Sequence, residues 1–162
     1  MNTVLFLYNN KKRRRNSMKI GVISDTHNIL KEEVINYLEN CDYIIHAGDV
    51  CQKQMINQLN QIAKTFVVAG NNDHIDGLPH DLEIELGGFL IYIVHDKKDI
   101  PKNVDNMDLI IYGHSHKYEY EEKDGVMYLN PGGCGRRRFS LPLTMALLFI
   151  EDNRIKIEKI EL

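Results

Sequence analysis

The chain has 162 residues, of which 43% are hydrophobic and 27% charged, the balance of one globular domain with a short tail. Its 20 basic and 23 acidic residues leave a net charge of −3, which excludes a strongly basic nucleic-acid module and an acidic solvating tail. The three cysteines, Cys41, Cys51 and Cys134, form no CxxC pair, so neither a zinc knuckle nor a disulfide framework is expected, and a reducing, cytoplasmic setting suits them better.

In chain order, residues 4–8 are apolar and are followed by five basic residues at 11–15. A signal peptide has the reverse order and a longer apolar run, and no stretch reaches the roughly 18–20 apolar residues of a membrane span. Residues 1–17 therefore read as a disordered tail and 18–162 as a single domain starting at Met18. An apolar run at 20–23 ends in Ser24, Asp25, Thr26, His27 and Asn28. Leu30, Val34, Ile35 and Leu38 follow with a helical period. A second run at 43–45 ends in His46, Ala47, Gly48 and Asp49, and Met55, Ile56, Leu59, Ile62 and Ala63 mark a second amphipathic helix. A third run at 66–69 ends in Gly70, Asn71, Asn72 and Asp73. Strand, loop and helix in repetition predict a parallel sheet with helices packed on it.

The rhythm then changes. Residues 82–86 and 89–94 flank Gly87-Gly88, a two-residue hairpin turn. Residues 109–112 form a strand ending in Gly113, His114, Ser115 and His116. Residues 118–122 pair with 126–129, and 144–150 with 154–160. The pattern predicts an α/β domain of two sheets packed face to face with helices outside.

The chemistry-bearing residues gather at strand ends. Asp25 and His27, Asp49, Asn71, His95, and His114 with His116 each follow a predicted strand, the edge at which open α/β sheets bind ligands. Taken alone, Gly48-Asp49 is a turn, Gly70-Asn71 a loop, and His95 a strand-end histidine. Together they form a set of carboxylate, imidazole and amide oxygen without thiolate, which suits Mn²⁺, Fe²⁺ or Zn²⁺. Seven ligands exceed one tetrahedral ion and fit two ions sharing a carboxylate. The chain carries no dinucleotide fingerprint, P-loop or nucleophile elbow.

The ordered set Asp25-x-His27, Gly48-Asp49, Gly70-Asn71, His95 and Gly113-His114-x-His116 resembles the calcineurin-like metallophosphoesterase family, and with Asn130-Pro131-Gly132 its small single-domain prokaryotic phosphodiesterases. The resemblance implies a four-layer α/β/β/α sandwich of two mixed sheets. It implies one metal on Asp25, His27, Asp49 and His116, and a second on Asp49, Asn71, His95 and His114, with Asp49 bridging. Asn71, His114 and Asp49 are the expected catalytic residues. Two divalent ions, Mn²⁺ first with Ni²⁺, Fe²⁺, Zn²⁺ or Co²⁺ as alternatives, would share a hydroxide and clamp a phosphoryl group. The expected substrate is a small phosphodiester. No stable nucleic-acid or membrane partner is expected, and a homo-oligomer is left open. A phosphomonoesterase or nuclease on the same site, or a non-catalytic protein-binding scaffold of the same fold, are the alternatives.

Two positions depart from the family pattern. Asn72 stands where many members carry a histidine that protonates the leaving group, with His74 the nearest substitute. Asp96 stands where a glycine commonly follows the metal histidine, and either faces solvent or would orient a ligand from behind. His46 is expected to support the site rather than bind metal. Arg136, Arg137 and Arg138 are a solvated charge run or a phosphate contact. Cys51 and Cys134 have no evident partner, and His80 no role.

Overall fold

The computed structural model describes residues 17–162 and the strand Val4–Leu5 (β1). The tail expected at 1–17 otherwise falls outside the described residues, apart from β1 and from Ser17, which opens the next strand. Five strands form one sheet, in the order β11-β10-β2-β3-β4. These are β2 (Ser17–Ile23), β3 (Tyr43–His46), β4 (Lys64–Val67), β10 (Thr144–Glu151) and β11 (Arg154–Glu161). Six form the other, in the order β1-β5-β6-β7-β9-β8. Here β5 is Asp81–Leu86, β6 Phe89–Val94, β7 Leu109–Ile111, β8 Tyr118–Lys123 and β9 Val126–Pro131. Both sheets are mixed: β2, β3 and β4 run parallel, as do β6, β7 and β9, while β10, β11, β5 and β8 pair antiparallel.

Burial explains the residue patterns. β3 and β10 are covered on both faces for most of their length and read as near-continuous apolar runs. β5 alternates buried and less buried residues, and the edge strand β11 puts five of its eight side chains in solvent. Between the sheets lie Ile20, Val22, Ile45 and Leu148 from one face and Ile84, Ile91, Ile93 and Leu129 from the other. Helices α1 (Glu32–Leu38) and α2 (Lys53–Ile62) cover the five-stranded sheet, burying Val34, Leu38, Met55 and Leu59 against Ile23, Ile44 and Leu147.

The outer face of the six-stranded sheet is covered differently. Val104, Met107 and the half-buried Ile100 cap Tyr92, Val94, Ile110 and Tyr112. They follow a single 3₁₀ turn, Lys97–Asp99, so this outer layer is one helical turn and an irregular segment. Boundaries shift where hydrogen bonds leave the ladder. The strand expected at 66–69 ends at Val67, because the Ala69 N–H turns to the Pro79 carbonyl at 2.7 Å. Gly87 and Gly88 both hold positive φ, 59° and 86°, as a two-residue hairpin with right-handed strands demands.

The arrangement brings the C-terminal ends of the parallel strands of both sheets to one end of the sandwich. Leu148 lies at its centre, fully buried, registered between Ile20 and Ile157. Leu148→Ala is expected to destabilise the fold by about 2–5 kcal/mol, since removed methyls and a residual cavity both count. The urea midpoint should fall with an unchanged m-value.

Candidate metal centre

All seven sequence-predicted ligands arrive at that end. Asp25 and His27 follow β2, Asp49 follows β3, Asn71 follows β4, His95 follows β6, and His114 and His116 follow β7. Asp25, His27 and His116 offer ligand atoms within 4.8 Å of one another, and so do Asp25, Asp49 and His95. His27 Nε2 is 3.3 Å from His116 Nε2 and 3.6 Å from Asp49 Oδ2. His95 Nε2 is likewise 3.6 Å from Asp49 Oδ2. Asn71 Oδ1 lies 3.1 Å from His95 Nε2 and 3.2 Å from His114 Nδ1. Asp49 Oδ2 thus stands midway between the two halves, while Asp25 belongs to both triads. His114 sits on the more exposed side, with Nε2 3.8 Å from Asp96 Oδ2.

The backbone at these positions is unusual. Asp25, His27, Asp49, His114 and His116 have φ of 53°, 44°, 58°, 69° and 60°. Left-handed conformations in non-glycine residues are uncommon and store roughly 1–3 kcal/mol each where a residue tolerates them poorly. Cross-loop hydrogen bonds hold them: Asp25 N–H to Gly48 O at 3.0 Å, His27 N–H to Asp49 O at 3.0 Å, and Gly113 N–H to His95 O at 2.9 Å. Gly70 is required by close approach, because a Cβ there would collide with the Asp49 carboxylate and amide.

Two supporting residues are stronger than the sequence suggested. The Asp73 carboxylate accepts from the N–H groups of Asp49 (2.8 Å), Gly70 (2.8 Å) and Cys51 (2.6 Å), with Val50 at 3.3 Å. It ties the loops after β3 and β4 into one unit. An aspartate three residues after a glycine is a local signal for such back-bonding. Buried Asn130 donates to Gly113 O at 2.8 Å and accepts from Gly132 N–H at 2.9 Å, locking the loop that carries His114 and His116. Asn72, which lacks a titratable proton, donates from its backbone to Asp49 Oδ1 (2.9 Å) and from its side chain to Oδ2 (2.8 Å).

Electrostatics separates the groups. Burial works to raise the Asp49 pKa, but hydrogen bonds from His95 and Asn72 outweigh it, so this carboxyl stays ionised well below the usual range. Burial raises Asp25, despite the histidines and the Ser24 hydroxyl at 2.7 Å. Burial opposes protonation of His95, yet Asp49, Asp25 and the Ala47 carbonyl raise its pKa. Burial lowers His116. His95 Nδ1–H donates to Ala47 O at 2.7 Å, which fixes the tautomer that aims Nε2 at the centre. Buried Asp25 Oδ1 has no hydrogen-bond partner, 3.4 Å from His116 Nε2 and 3.9 Å from His95 Nε2. An orphaned carboxylate oxygen amid imidazole nitrogens, with no thiolate, fits divalent metal.

The remaining candidates fall outside the cluster. His46 is fully buried and bonds Thr26 and Gly48. Cys51 Sγ lies 3.7 Å from His27 Nδ1, on the side away from the centre. Burial pushes the Cys134 thiol up to about 12. His80 pairs loosely with Asp99 at 3.8 Å, and His74 is exposed and, among the described residues, forms no hydrogen bond or ion pair.

The calcineurin-like phosphoesterase superfamily domain matches residues 18–153. A "Probable metallophosphoesterase" of Methanocaldococcus jannaschii is 31% identical, over 90% of this chain and 83% of that protein. The solved structure of a novel archaeal phosphodiesterase has a TM-score of 0.73 and 26% identity, covering 90% of this chain and all of that one. The Entamoeba histolytica Vps29 complexed with Zn²⁺ shares the fold, with a TM-score of 0.68 and 24% identity over 89% of this chain and 99% of that one. The chain belongs to the calcineurin-like phosphoesterase superfamily.

His46 yields a pH prediction. Its Nδ1 accepts from Gly48 N–H, so the folded ring is neutral, and burial pushes its pKa down from 6.5 to about 4. Between those values the unfolded chain binds a proton that the folded chain refuses, so stability is full above about pH 6.5 and falls as pH falls towards 4. Near pH 5 the loss is about 2 kcal/mol. In EDTA, the drop in Tm from pH 7 to pH 5 should be smaller for His46→Gln than for wild type.

Proposed function

We propose that this superfamily member is a divalent-metal-dependent phosphodiesterase acting on a small phosphodiester. Asp25, His27, Asp49 and His116 hold one ion and Asp49, Asn71, His95 and His114 the other, with Mn²⁺ the first candidate. The observation that carries this reading is the buried, unpartnered Asp25 Oδ1, facing a ring of imidazole nitrogens whose companions are all of metal-ligand type. When bound, two such ions acidify a water for attack on phosphorus and offset charge on the phosphoryl oxygens.

The chain's own residues set the conditions for that chemistry. Asp49, ionised and clamped through both oxygens by Asn72, presents Oδ2 between His27 and His95. His95 keeps its proton on Nδ1, so Nε2 gives up its own proton when metal enters, and metal affinity rises with pH. Asn71 and His114 lie on the exposed side, where a phosphoryl group enters. Asn72 has no proton to give a departing oxygen, and its amide is already committed to Asp49. Three free thiols support a reducing compartment such as the cytoplasm, and among the described residues no helix is long and apolar enough to cross a membrane.

Elemental analysis of protein saturated with Mn²⁺ should give two ions per chain. Asp49→Ala should weaken both sites and abolish turnover, and a chelator should do the same reversibly. One ion at saturation contradicts the paired assignment. A protein that holds two ions yet cleaves neither diester nor monoester is the binding-scaffold alternative.

Leaving-group chemistry provides a second test. General acid catalysis is worth about 10²–10⁴ in rate, most for alkoxides and least for nitrophenolates. Aryl diesters should therefore be cleaved far faster than alkyl diesters, with kcat/KM falling steeply as leaving-group pKa rises. A flat dependence, with chemistry rate-limiting, means another residue supplies the proton.

A further inference from the structure

Beyond the ligand cluster, the strongest unexplained feature is the loop after β9. Its glycines bind it to the centre: Gly133 N–H donates to His116 O at 3.2 Å, Cys134 N–H to Ser24 O at 3.4 Å, and Gly135 packs against the Thr26 backbone so closely that a Cβ would collide with it. The chain then emerges as Arg136, Arg137, Arg138 and Phe139, all exposed. Phe139 is 89% exposed, with a left-handed φ of 52°. A bulky aromatic held in solvent in that conformation is unfavourable both in hydration and in backbone energy. Among the described residues, no carboxylate forms an ion pair with any of the three arginines.

We propose that Arg136, Arg137, Arg138 and Phe139 form the substrate-recognition rim of this site, and that the substrate is a short dinucleotide bearing a terminal phosphate in addition to the scissile diester. The proposal rests on the phosphodiesterase reading above. A diester carries one negative charge, which the metal centre meets, so three uncompensated guanidiniums beside it call for further anionic groups. Guanidinium forks match phosphate oxygens in bidentate pairs. An exposed phenyl ring beside them suits a nucleobase, since base–aromatic stacking is favourable for every base. The patch is four residues wide on a chain of net charge −3, narrower than the basic amphipathic face that a lipid surface needs.

The test is calorimetric binding of the dinucleotides pApA and ApA to protein kept metal-free in EDTA, where neither is hydrolysed. Wild type should bind pApA at least about tenfold more tightly than ApA. R136A/R137A/R138A should erase that preference, and Phe139→Ala should weaken both ligands about fivefold or more while keeping it. Lys123→Ala, at the far end of β8, is the control and should match wild type. Equal binding of pApA and ApA by wild type, or variants indistinguishable from it, overturns the proposal. So does loop-dependent binding of an acidic peptide or phosphatidylserine vesicles without binding of pApA.

With Mn²⁺ present, the triple variant should lower the ratio of kcat/KM for pApA to that for methyl p-nitrophenyl phosphate by about tenfold or more. If Mn²⁺-loaded wild type cleaves neither substrate, the phosphodiesterase reading fails, and the binding arm still decides the rim.

Discussion

Two carboxylates, Asp25 and Asp49, are buried side by side at the ends of neighbouring parallel strands, and the rest of this end of the molecule follows from keeping them there. Burying one uncompensated carboxylate is expensive, and burying two is tolerable only with cations, hydrogen bonds or metal around them. The protein divides the problem unequally. Asp49 is satisfied by Asn72 and flanked by His27 and His95, and remains ionised. Asp25 keeps one oxygen for Ser24 and the His114 amide and leaves the other without a hydrogen-bond partner. A centre of this kind is held against its own electrostatics, which is the property expected of a site with affinity for divalent cations.

Holding such groups requires strained loops, and strained loops require a stiff frame. Five of the candidate ligands sit at positive φ on short turns that leave two different sheets. The sheets are joined by the apolar layer containing Ile45, Ile91, Leu129 and Leu148, so the strand ends cannot drift apart without opening the core. Asp73 and Asn130 carry that stiffness into the loops, each satisfying backbone donors or acceptors that the turns would otherwise leave unpaired. His46 does the same beneath the centre, between Thr26 and Gly48, and stays neutral because it is enclosed.

The site is open on one side and closed on the other. Asp25, Asp49, His95 and His116 are buried, whereas Asn71 and His114 are exposed and the Arg136–Arg138 loop stands at the edge. Charge is graded accordingly: two carboxyl groups at the base with Asp49 ionised, imidazoles around them, and guanidiniums outermost. An anion approaching from solvent meets positive charge first.

The sequence by itself determined the alternation of strand and helix, the three hairpins, and the placing of seven metal-type residues just past strand ends, because each of these is written locally. Apolar runs of fixed length give strands, Gly-Gly gives a tight turn, and metal-type residues just past successive parallel strands must share one edge. The outer layer over β6 and β7 was less legible. An irregular segment carrying Val104 and Met107 has no period to read. Only the tertiary structure decided which groups support the ligands. The four amides that reach Asp73 come from Asp49, Val50, Cys51 and Gly70, and all but Gly70 are more than twenty residues away in sequence. Asn72 reads as a missing acid in sequence and proves to be the clamp on Asp49 in space. A side chain's partner is set by which loops the core brings together, and that is a property of the packed sheets rather than of any one segment.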